Sequence, residues 1–497
     1  MAGEGPKLAR ELNIWEAIGI SVALMAPSMA ANINPQGMVG VVGRAIPLTF
    51  ALATVGVLLV AYTFVRLTQR FHHSGSVYGF VGATLGPRAG VVAGWGLLGT
   101  YTFYGVVTAT AASRFALAFL DSTGIWTAPP DGIALVAVAL VLVGVFWLTI
   151  SPIRLGTRFL LVVEGATVAL ILLVALVVLV RLAGGDGPSG QGLTLSPFTL
   201  SSGTGASAIF LGIVFGFLSF AGFEAAATLG EETKHPRRDI PRAILGTAVF
   251  GGVYFVFVTW VEVMGLGADD KGLQEFAGSG SLFGDLGTRF VGAWLGDLIT
   301  LGAAISAFGC ALACSVGASR LLYALARDGI APEGLADVSP VKHTPVRASA
   351  VVAVAVAVLE VVLWVIYVPG VAPDAEGYQA ASLSVFIAAG VIGTLILLVA
   401  YVLATVGVVN LLFGGGRRQV ALWEAAIPVL ALALLGYTLY KNVYPFPSGK
   451  AAVPALLSLL WLAIGVGYVL VAPGAARRAG EKLTHDEGLA AQVEEVA

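Results

Sequence analysis

Residues 217–247 read FLSFAGFEAAATLGEETKHPRRDIPRAILGT and interrupt an apolar run before a second one begins. Glu224 lies shortly after Gly222, inside the first run, and a basic loop follows. A carboxylate within the hydrocarbon of a membrane is costly unless it faces the protein interior or a water-filled path. Non-helical backbone at that depth is tolerated only under the same conditions. The stretch therefore predicts a membrane helix that is broken near Gly222 at a functional position.

The composition of the whole chain places it among integral membrane proteins. Of its 497 residues, 58% are hydrophobic and only 11% are charged. A soluble domain carries about 25% charged residues. Apolar runs of about 20 residues, the length of a membrane-spanning helix, recur along the chain. We expect an all-α integral membrane protein without a cleaved signal peptide, because the N-terminal segment is short and polar.

Twelve apolar runs are long enough to be transmembrane helices, and we predict them at residues 14–41, 46–70, 88–119, 132–150, 156–182, 206–231, 239–266, 290–327, 346–368, 379–411, 420–440 and 450–472. Most of the 27 Lys and Arg residues fall in alternate loops. Because Lys and Arg accumulate in cytoplasmic loops, this distribution predicts a cell-membrane protein with both termini in the cytoplasm. We therefore expect a cytoplasmic tail at 1–13, a single membrane domain at 14–472 and a second cytoplasmic tail at 473–497.

The first predicted span carries its own interruption. Residues 18–40 read IGISVALMAPSMAANINPQGMVG, and Pro27 removes a helical hydrogen bond. Alone, this pattern is typical of a proline-kinked helix. Together with the interruption in the sixth span, it favours a functional interpretation. Interrupted helices at corresponding positions of two halves point to a transporter binding site. Such breaks offer N–H groups to a carboxylate and C=O groups to an ammonium, and an α-amino acid carries both.

Three stretches resemble amino acid permeases of the amino acid–polyamine–organocation superfamily: GFEAAATLGEETKHPRRDIPRAI, FHHSGSVYGFVGATLGPRAGVVAGWGLLGTY and ASRLLYALARDGIAP. The resemblance covers nearly the whole chain and is not specific for a substrate. It implies an inverted repeat of five plus five helices, 14–182 and 206–411, with helices 1 and 6 discontinuous. Two additional C-terminal helices, at 420–472, lie outside the repeats. It also implies secondary active transport by alternating access.

The resemblance further implies a substrate site. At the carboxylate end of the substrate it places Met25, Ala26, Pro27, Ser28 and Met29. At the amino end it places Leu218, Ser219, Phe220, Ala221 and Gly222. Weaker alignments add Tyr101, Thr102 and Cys314, for which plain packing is the alternative. The chain has Ala26-Pro27-Ser28 where the family commonly has a G-x-G pattern, so fewer N–H groups are available and amines without a carboxylate stay in consideration.

Two carboxylates are candidates for proton coupling or gating. Glu164 is isolated in the fifth predicted span and could exchange a proton or form a structural bridge with Arg320 or Arg158. Glu224 lies beside the break, where lining a hydrated path is favoured over bracing the unwound backbone. Other charged groups have simpler interpretations: Glu262, Asp297 and Glu360 are expected to reach the lipid headgroups, while Arg114 lacks an explanation.

The predicted function is proton-coupled import of an amino acid. The alternatives are a polyamine or other small-amine carrier, or an amino acid exchanger. The expected partners are a small-molecule substrate, protons and membrane lipid, without nucleic acid, and the chain is expected to be a monomer or weak homo-oligomer.

An enzyme is disfavoured because the predicted spans hold no nucleophile–base pair or metal-ligand set. All five histidines lie outside the spans, and Cys310 and Cys314 alone do not form a metal site, so no metal or cofactor is expected. Two offset breaks in one chain suit a carrier better than a channel with symmetric pore rings.

Overall fold

The computed structural model describes residues 13–71, 77–127, 133–151, 155–201, 204–229, 233–339, 342, 344–368, 375–414 and 420–486. Within these ranges, eleven helices are long and apolar enough to cross a membrane, and Ile133–Thr149 is a shorter apolar helix. The predicted class, a multi-pass helical membrane protein, is therefore confirmed. Residues 1–12 and 487–497, which fall in the two predicted tails, lie outside the described residues.

The first predicted span is three helices rather than one: α1 (Ile14–Met25), α2 (Pro27–Ile33) and α3 (Gln36–Val42). Asn13 caps α1 by accepting hydrogen bonds from the backbone N–H groups of Trp15 and Glu16. Ala26 separates α1 from α2 in the left-handed region, with φ of 46°. Because a residue before proline avoids the right-handed helical region, Pro27 stops α1 there and begins α2 at its first position.

In the sixth predicted span, 206–231, the α-helix ends before the span does. Helix α9 (Ser207–Phe220) stops before Gly222, and a 3₁₀ helix covers Ala225–Leu229. Gly222 has φ of 102°, and a Cβ placed there would lie 2.9 Å from the Leu24 Cβ. Glycine is thus needed for its backbone conformation and for space. The same contact shows that the two interrupted segments lie against each other.

The remaining α-helices surround this pair. In the first half of the chain they are α4 (Ile46–Arg70), α5 (Val77–Leu85), α6 (Pro87–Ser122), α7 (Ile133–Thr149) and α8 (Leu155–Ala183). In the second half they are α10 (Pro236–Leu266), α11 (Asp270–Gly278), α12 (Leu282–Phe290), α13 (Ala293–Arg327), α14 (Val346–Tyr367), α15 (Ala375–Phe413), α16 (Ala426–Val443), α17 (Ala452–Val471) and α18 (Pro473–Asp486). Helix α6 packs between α13 and α15, and α4 packs along α10.

Two carboxylates expected at the lipid headgroups are buried instead. Glu262 is 0% exposed and Glu360 is 1% exposed. Glu360 has partners inside the bundle, since it accepts hydrogen bonds from the Thr110 hydroxyl at 3.0 Å and from Trp364 Nε1 at 2.8 Å. Arg114 is also explained, because its Nη1 donates to the Ser382 hydroxyl at 2.9 Å and joins α6 to α15. Contacts between helices, rather than position along each helix, decide where these groups lie.

Candidate functional site

A cavity of about 170 Å³ lies at the junction of the two interrupted segments. Its walls come from α1, α2, α4, α5, α6, α13 and α15, from the end of α9 and from the segment that follows. The lining residues are Leu24, Met25, Met29, Phe64, Val77, Leu97, Thr100, Tyr101, Tyr104, Val107, Thr108, Leu218, Ala221, Gly222, Glu224, Ala225, Ala227, Thr228, Cys310, Cys314 and Leu397. Most of this wall is apolar, as is common for small-molecule sites, and a few polar groups converge on it.

The residues anticipated from sequence divide into two groups. Eight line the cavity: Met25, Met29, Tyr101, Leu218, Ala221, Gly222, Glu224 and Cys314. Seven lie outside its lining: Ala26, Pro27, Ser28, Thr102, Glu164, Ser219 and Phe220. Met25 and Met29, on either side of the first break, and Ala221 and Gly222 at the second therefore border the cavity, while residues 26–28, 219 and 220 lie outside its lining.

Three of the outer group have contacts that account for their position. The Ser219 hydroxyl accepts from Asn34 Nδ2 at 2.8 Å and so connects α9 to the segment after α2. The Thr102 hydroxyl donates to the Leu98 carbonyl within α6 at 2.7 Å. The Phe220 ring packs edge-on against Phe255, with ring centroids 5.4 Å apart. These side chains therefore pack behind the residues that line the cavity.

Glu164 contacts the first break directly. Its Oε1 accepts hydrogen bonds from the backbone N–H and from the hydroxyl of Ser28, both at 2.8 Å. Glu164 is 6% exposed, whereas Arg320 is exposed, so the anticipated bridge to Arg320 is replaced by this contact. The side chain of Arg158 lies outside the described residues. The fifth predicted span is thus joined to α2 through a carboxylate.

Glu224 brings a carboxyl group to the cavity wall. Its Oε1 accepts a hydrogen bond from the Tyr401 hydroxyl at 2.9 Å. Its Oε2 is buried and has no hydrogen-bond partner among the described residues. Of the described residues that line the cavity, Glu224 is the only one with a charged side chain. The cavity can therefore provide a carboxylate oxygen to a hydrogen-bond donor or a cation.

Sequence reasoning missed several lining residues. Leu97, Tyr104 and Thr108 form one stripe of α6 with Tyr101, at the spacing of successive helical turns. Extending the stripe from Tyr101 would have found them. Cys310 also lines the cavity, one turn before Cys314, and its Sγ lies 3.7 Å from the Leu24 carbonyl oxygen. The sequence placed the two thiols on one helix face but did not indicate which face meets the cavity.

The bundle of long apolar helices defines a class, the multi-pass helical membrane proteins. Within that class the chain belongs to the amino acid permease family, whose sequence profile matches residues 12–471. The family is one of transporters, and the resemblance seen in the sequence is confirmed.

Individual relatives agree with this assignment. An uncharacterized transporter of Mycobacterium tuberculosis is 30% identical over 71% of this chain and 74% of its own length. The low-affinity putrescine importer of Escherichia coli is 26% identical over 66% of this chain and 69% of its own. The branched-chain amino acid permease of Bacillus subtilis is 25% identical over 68% and 71%.

A solved structure shares the fold. The manganese transporter of Eremococcus coleocola superposes with a TM-score of 0.53 over 95% of this chain and 98% of its own, at 13% identity. At that identity the similarity concerns the fold alone.

Proposed function

We propose that this protein is a secondary active transporter that carries an amino acid or a small organic amine across the cell membrane by alternating access. The observation that supports this most is the cavity enclosed between the two interrupted segments, with Glu224 in its wall. Membrane transporters of this kind bind substrate where broken helices meet, because unwound backbone offers unsatisfied polar groups there. The relatives named for branched-chain amino acids and for putrescine are consistent with both substrate classes.

The proposed architecture is an inverted repeat of twelve transmembrane helices. Residues 14–182 and 206–411 form the two repeats, and 420–472 form two additional helices. Support comes from the matching interruptions, at Ala26 in the first span and Gly222 in the sixth, which both have positive φ. The tails at 1–13 and 473–497 lie in the cytoplasm in this proposal. The protein acts as a monomer or weak homo-oligomer in lipid.

The substrate lies between the breaks in this proposal. Glu224 and the carbonyl groups near Gly222 receive its amino group. Tyr101, Leu218 and the cysteine pair of α13 surround the remainder of the molecule. Ser219, Phe220 and Thr102 position the walls through the contacts that they make within the bundle.

Glu164 is the proposed proton-coupling group. As a carboxylate it accepts two hydrogen bonds from Ser28 and ties α2 to α8. Hydrogen bonds to an ionised acceptor are about twice as strong as neutral ones. Protonation of Glu164 therefore weakens this tie, and α2 becomes freer to move relative to α8 when a proton arrives. Glu224 contributes to gating, because it links the broken segment to Tyr401 on α15.

Uptake into proteoliposomes tests the proposal. Purified protein is reconstituted, an inward proton gradient is imposed, and accumulation of radiolabelled amino acids and amines is followed with and without a protonophore. Saturable accumulation that the protonophore abolishes is expected. Accumulation that ignores the gradient contradicts the proton coupling, and failure to transport any member of the panel contradicts the transport function itself.

A further inference from the structure

We propose that the substrate is an organic cation with a primary ammonium group and no carboxylate. This inference rests on the proposed transport function and narrows it to a substrate class. Three features of the site support this inference. They are the acidic side chain in the cavity wall, the hydrogen bonds that donors at the first break already make within the protein, and the aromatic groups around the cavity.

The cavity wall is negative. Glu224 is its only charged side chain among the described lining residues, which include no Lys, Arg or His. One oxygen of Glu224 is engaged by Tyr401, and the other is buried without a partner in the described part of the chain. A buried carboxylate oxygen without a partner is unfavourable, and an ammonium group with three donors satisfies it. A substrate carboxylate in the same cavity would meet this negative charge with no cation to offset it.

Three donors at the first break, on Ala26 and Ser28, are already in use. Pro27 has no backbone N–H, and the N–H of Ala26 donates to the Ala23 carbonyl at 3.2 Å. The N–H and the hydroxyl of Ser28 both donate to Glu164. The protein thus supplies its own carboxylate to Ser28, where the family resemblance places the carboxylate of an amino acid substrate. An amino acid would have to displace Glu164, whereas an amine leaves this contact intact.

The rest of the cavity wall is suited to the hydrocarbon part of an amine, beyond its ammonium group. Phe64, Tyr101 and Tyr104 bring aromatic rings to the cavity, and Leu97 and Val107 add aliphatic surface. Aromatic faces attract cations, and aliphatic surface favours a hydrocarbon chain. The Tyr104 hydroxyl is paired with Thr394 at 3.0 Å. Ammonium, ring and chain positions are therefore all present, while the described lining holds no Lys, Arg or His to pair with a carboxylate.

Matched ligand pairs that differ only in the carboxylate test the inference. One pair is 1,4-diaminobutane and ornithine, and the other is butylamine and norvaline. Binding to purified full-length protein is measured by thermal shift, because a ligand stabilises the folded state by mass action. Uptake of the same four compounds into proteoliposomes is measured in parallel. We expect the amine of at least one pair to bind and be transported at least about tenfold better than its carboxylated partner.

The outcomes separate the two proposals. If the carboxylated compounds are transported equally well or better, the amine inference is wrong while the transport function stands. If none of the four compounds binds or is transported, although amino acids of other kinds are, the amine inference also fails. If no amino acid or amine is transported at all, the proposed function fails, and the inference fails with it.

Variants of Glu224 and Glu360 test whether Glu224 is the residue that binds the ammonium group of the substrate. Glu224→Gln is expected to weaken amine binding by at least about tenfold, the loss of a hydrogen bond to a charged group. Glu360→Gln is the control, because Glu360 is another buried carboxylate in a predicted span and does not line this cavity. Equal loss in both variants, or no loss in Glu224→Gln, contradicts the assignment. Size-exclusion profiles and unfolding midpoints confirm that each variant is folded.

A second pair of variants tests the carboxylate side independently of Glu224. Glu164→Ala leaves the Ser28 donors without their acceptor, so binding of ornithine or norvaline is expected to improve severalfold. Glu164→Gln retains an acceptor oxygen for Ser28 and is expected to show no such gain. If neither amino acid gains affinity in folded Glu164→Ala, Glu164 does not stand in for a substrate carboxylate.

Discussion

Ser28 and Glu164 are 136 positions apart in the chain, yet the backbone N–H and the hydroxyl of Ser28 both donate to one oxygen of Glu164 at 2.8 Å. The contact joins the break between α1 and α2 to the middle of α8. It thereby connects a segment beside the candidate substrate cavity to a carboxylate that lies outside the cavity. A change in the charge of Glu164 would alter the hydrogen bonds at the first break, and for this reason we propose the pair as the place of proton coupling.

The first prediction concerns Glu164→Gln. Glutamine keeps an acceptor for Ser28 but cannot gain or lose a proton. Uptake driven by a pH gradient is therefore expected to fall by at least about tenfold, because the hydrogen bonds from Ser28 no longer change in strength with pH. Radiolabelled uptake into proteoliposomes measures the effect. Glu360→Gln serves as the control, since Glu360 contacts Thr110 and Trp364 away from the cavity. Gradient-driven uptake that survives in Glu164→Gln removes this residue from the coupling role.

The second prediction concerns the glycine at the sixth-span break. Gly222 has φ of 102°, and an added Cβ would crowd Leu24 at 2.9 Å. Gly222→Ala is therefore expected to lower stability by about 1–3 kcal/mol and to reduce transport. Gly467→Ala is the matched control, because Gly467 lies within α17 with no atom within 4 Å of an added Cβ. That substitution is expected to be neutral or to stabilise by about 0.5–1 kcal/mol. The thermal unfolding midpoints of both purified variants measure the effect. Equal midpoints would contradict the close packing of Gly222 against Leu24.

The third prediction uses the two cysteines as reporters. The chain has two cysteines, and both line the candidate cavity. A membrane-permeant maleimide is expected to modify them slowly, when the cavity opens, and a bound substrate is expected to slow the reaction severalfold. Mass spectrometry of the intact protein measures the labelling, and Cys310→Ala and Cys314→Ala assign it to each thiol. Labelling that a saturating transported substrate leaves unchanged would place the substrate away from α13.

The fourth prediction concerns stability far from the cavity. Glu360 is buried and accepts hydrogen bonds from Thr110 and Trp364, and Glu360→Ala removes both bonds. The loss of buried hydrogen bonds to a carboxylate costs about 1–3 kcal/mol, so the unfolding midpoint is expected to fall. Asp297→Ala is the comparison, because Asp297 is only half-buried and contacts Ser122 near the end of α6. A larger loss in Asp297→Ala than in Glu360→Ala would show that the Glu360 contacts contribute little.

The sequence by itself determined the membrane class and the family, and it predicted interruptions near Pro27 and Gly222. These are local properties: the length of an apolar run, the ring of Pro27 and the backbone freedom of Gly222 act on their immediate neighbours. It also indicated that Glu224 lies beside a break, because a carboxylate within an apolar run is conspicuous without any knowledge of its partners.

The tertiary structure alone decided which groups meet. Ser28 contacts Glu164, and Glu224 contacts Tyr401, which lies 177 positions further along the chain. Glu262 and Glu360 are buried rather than placed at headgroups, because neighbouring helices cover them. Such pairings depend on how the helices pack against one another, and no local pattern encodes the rotation of one helix against another. Helix packing therefore decided that the protein's own carboxylate, Glu164, accepts the hydrogen bonds of Ser28 at the first break.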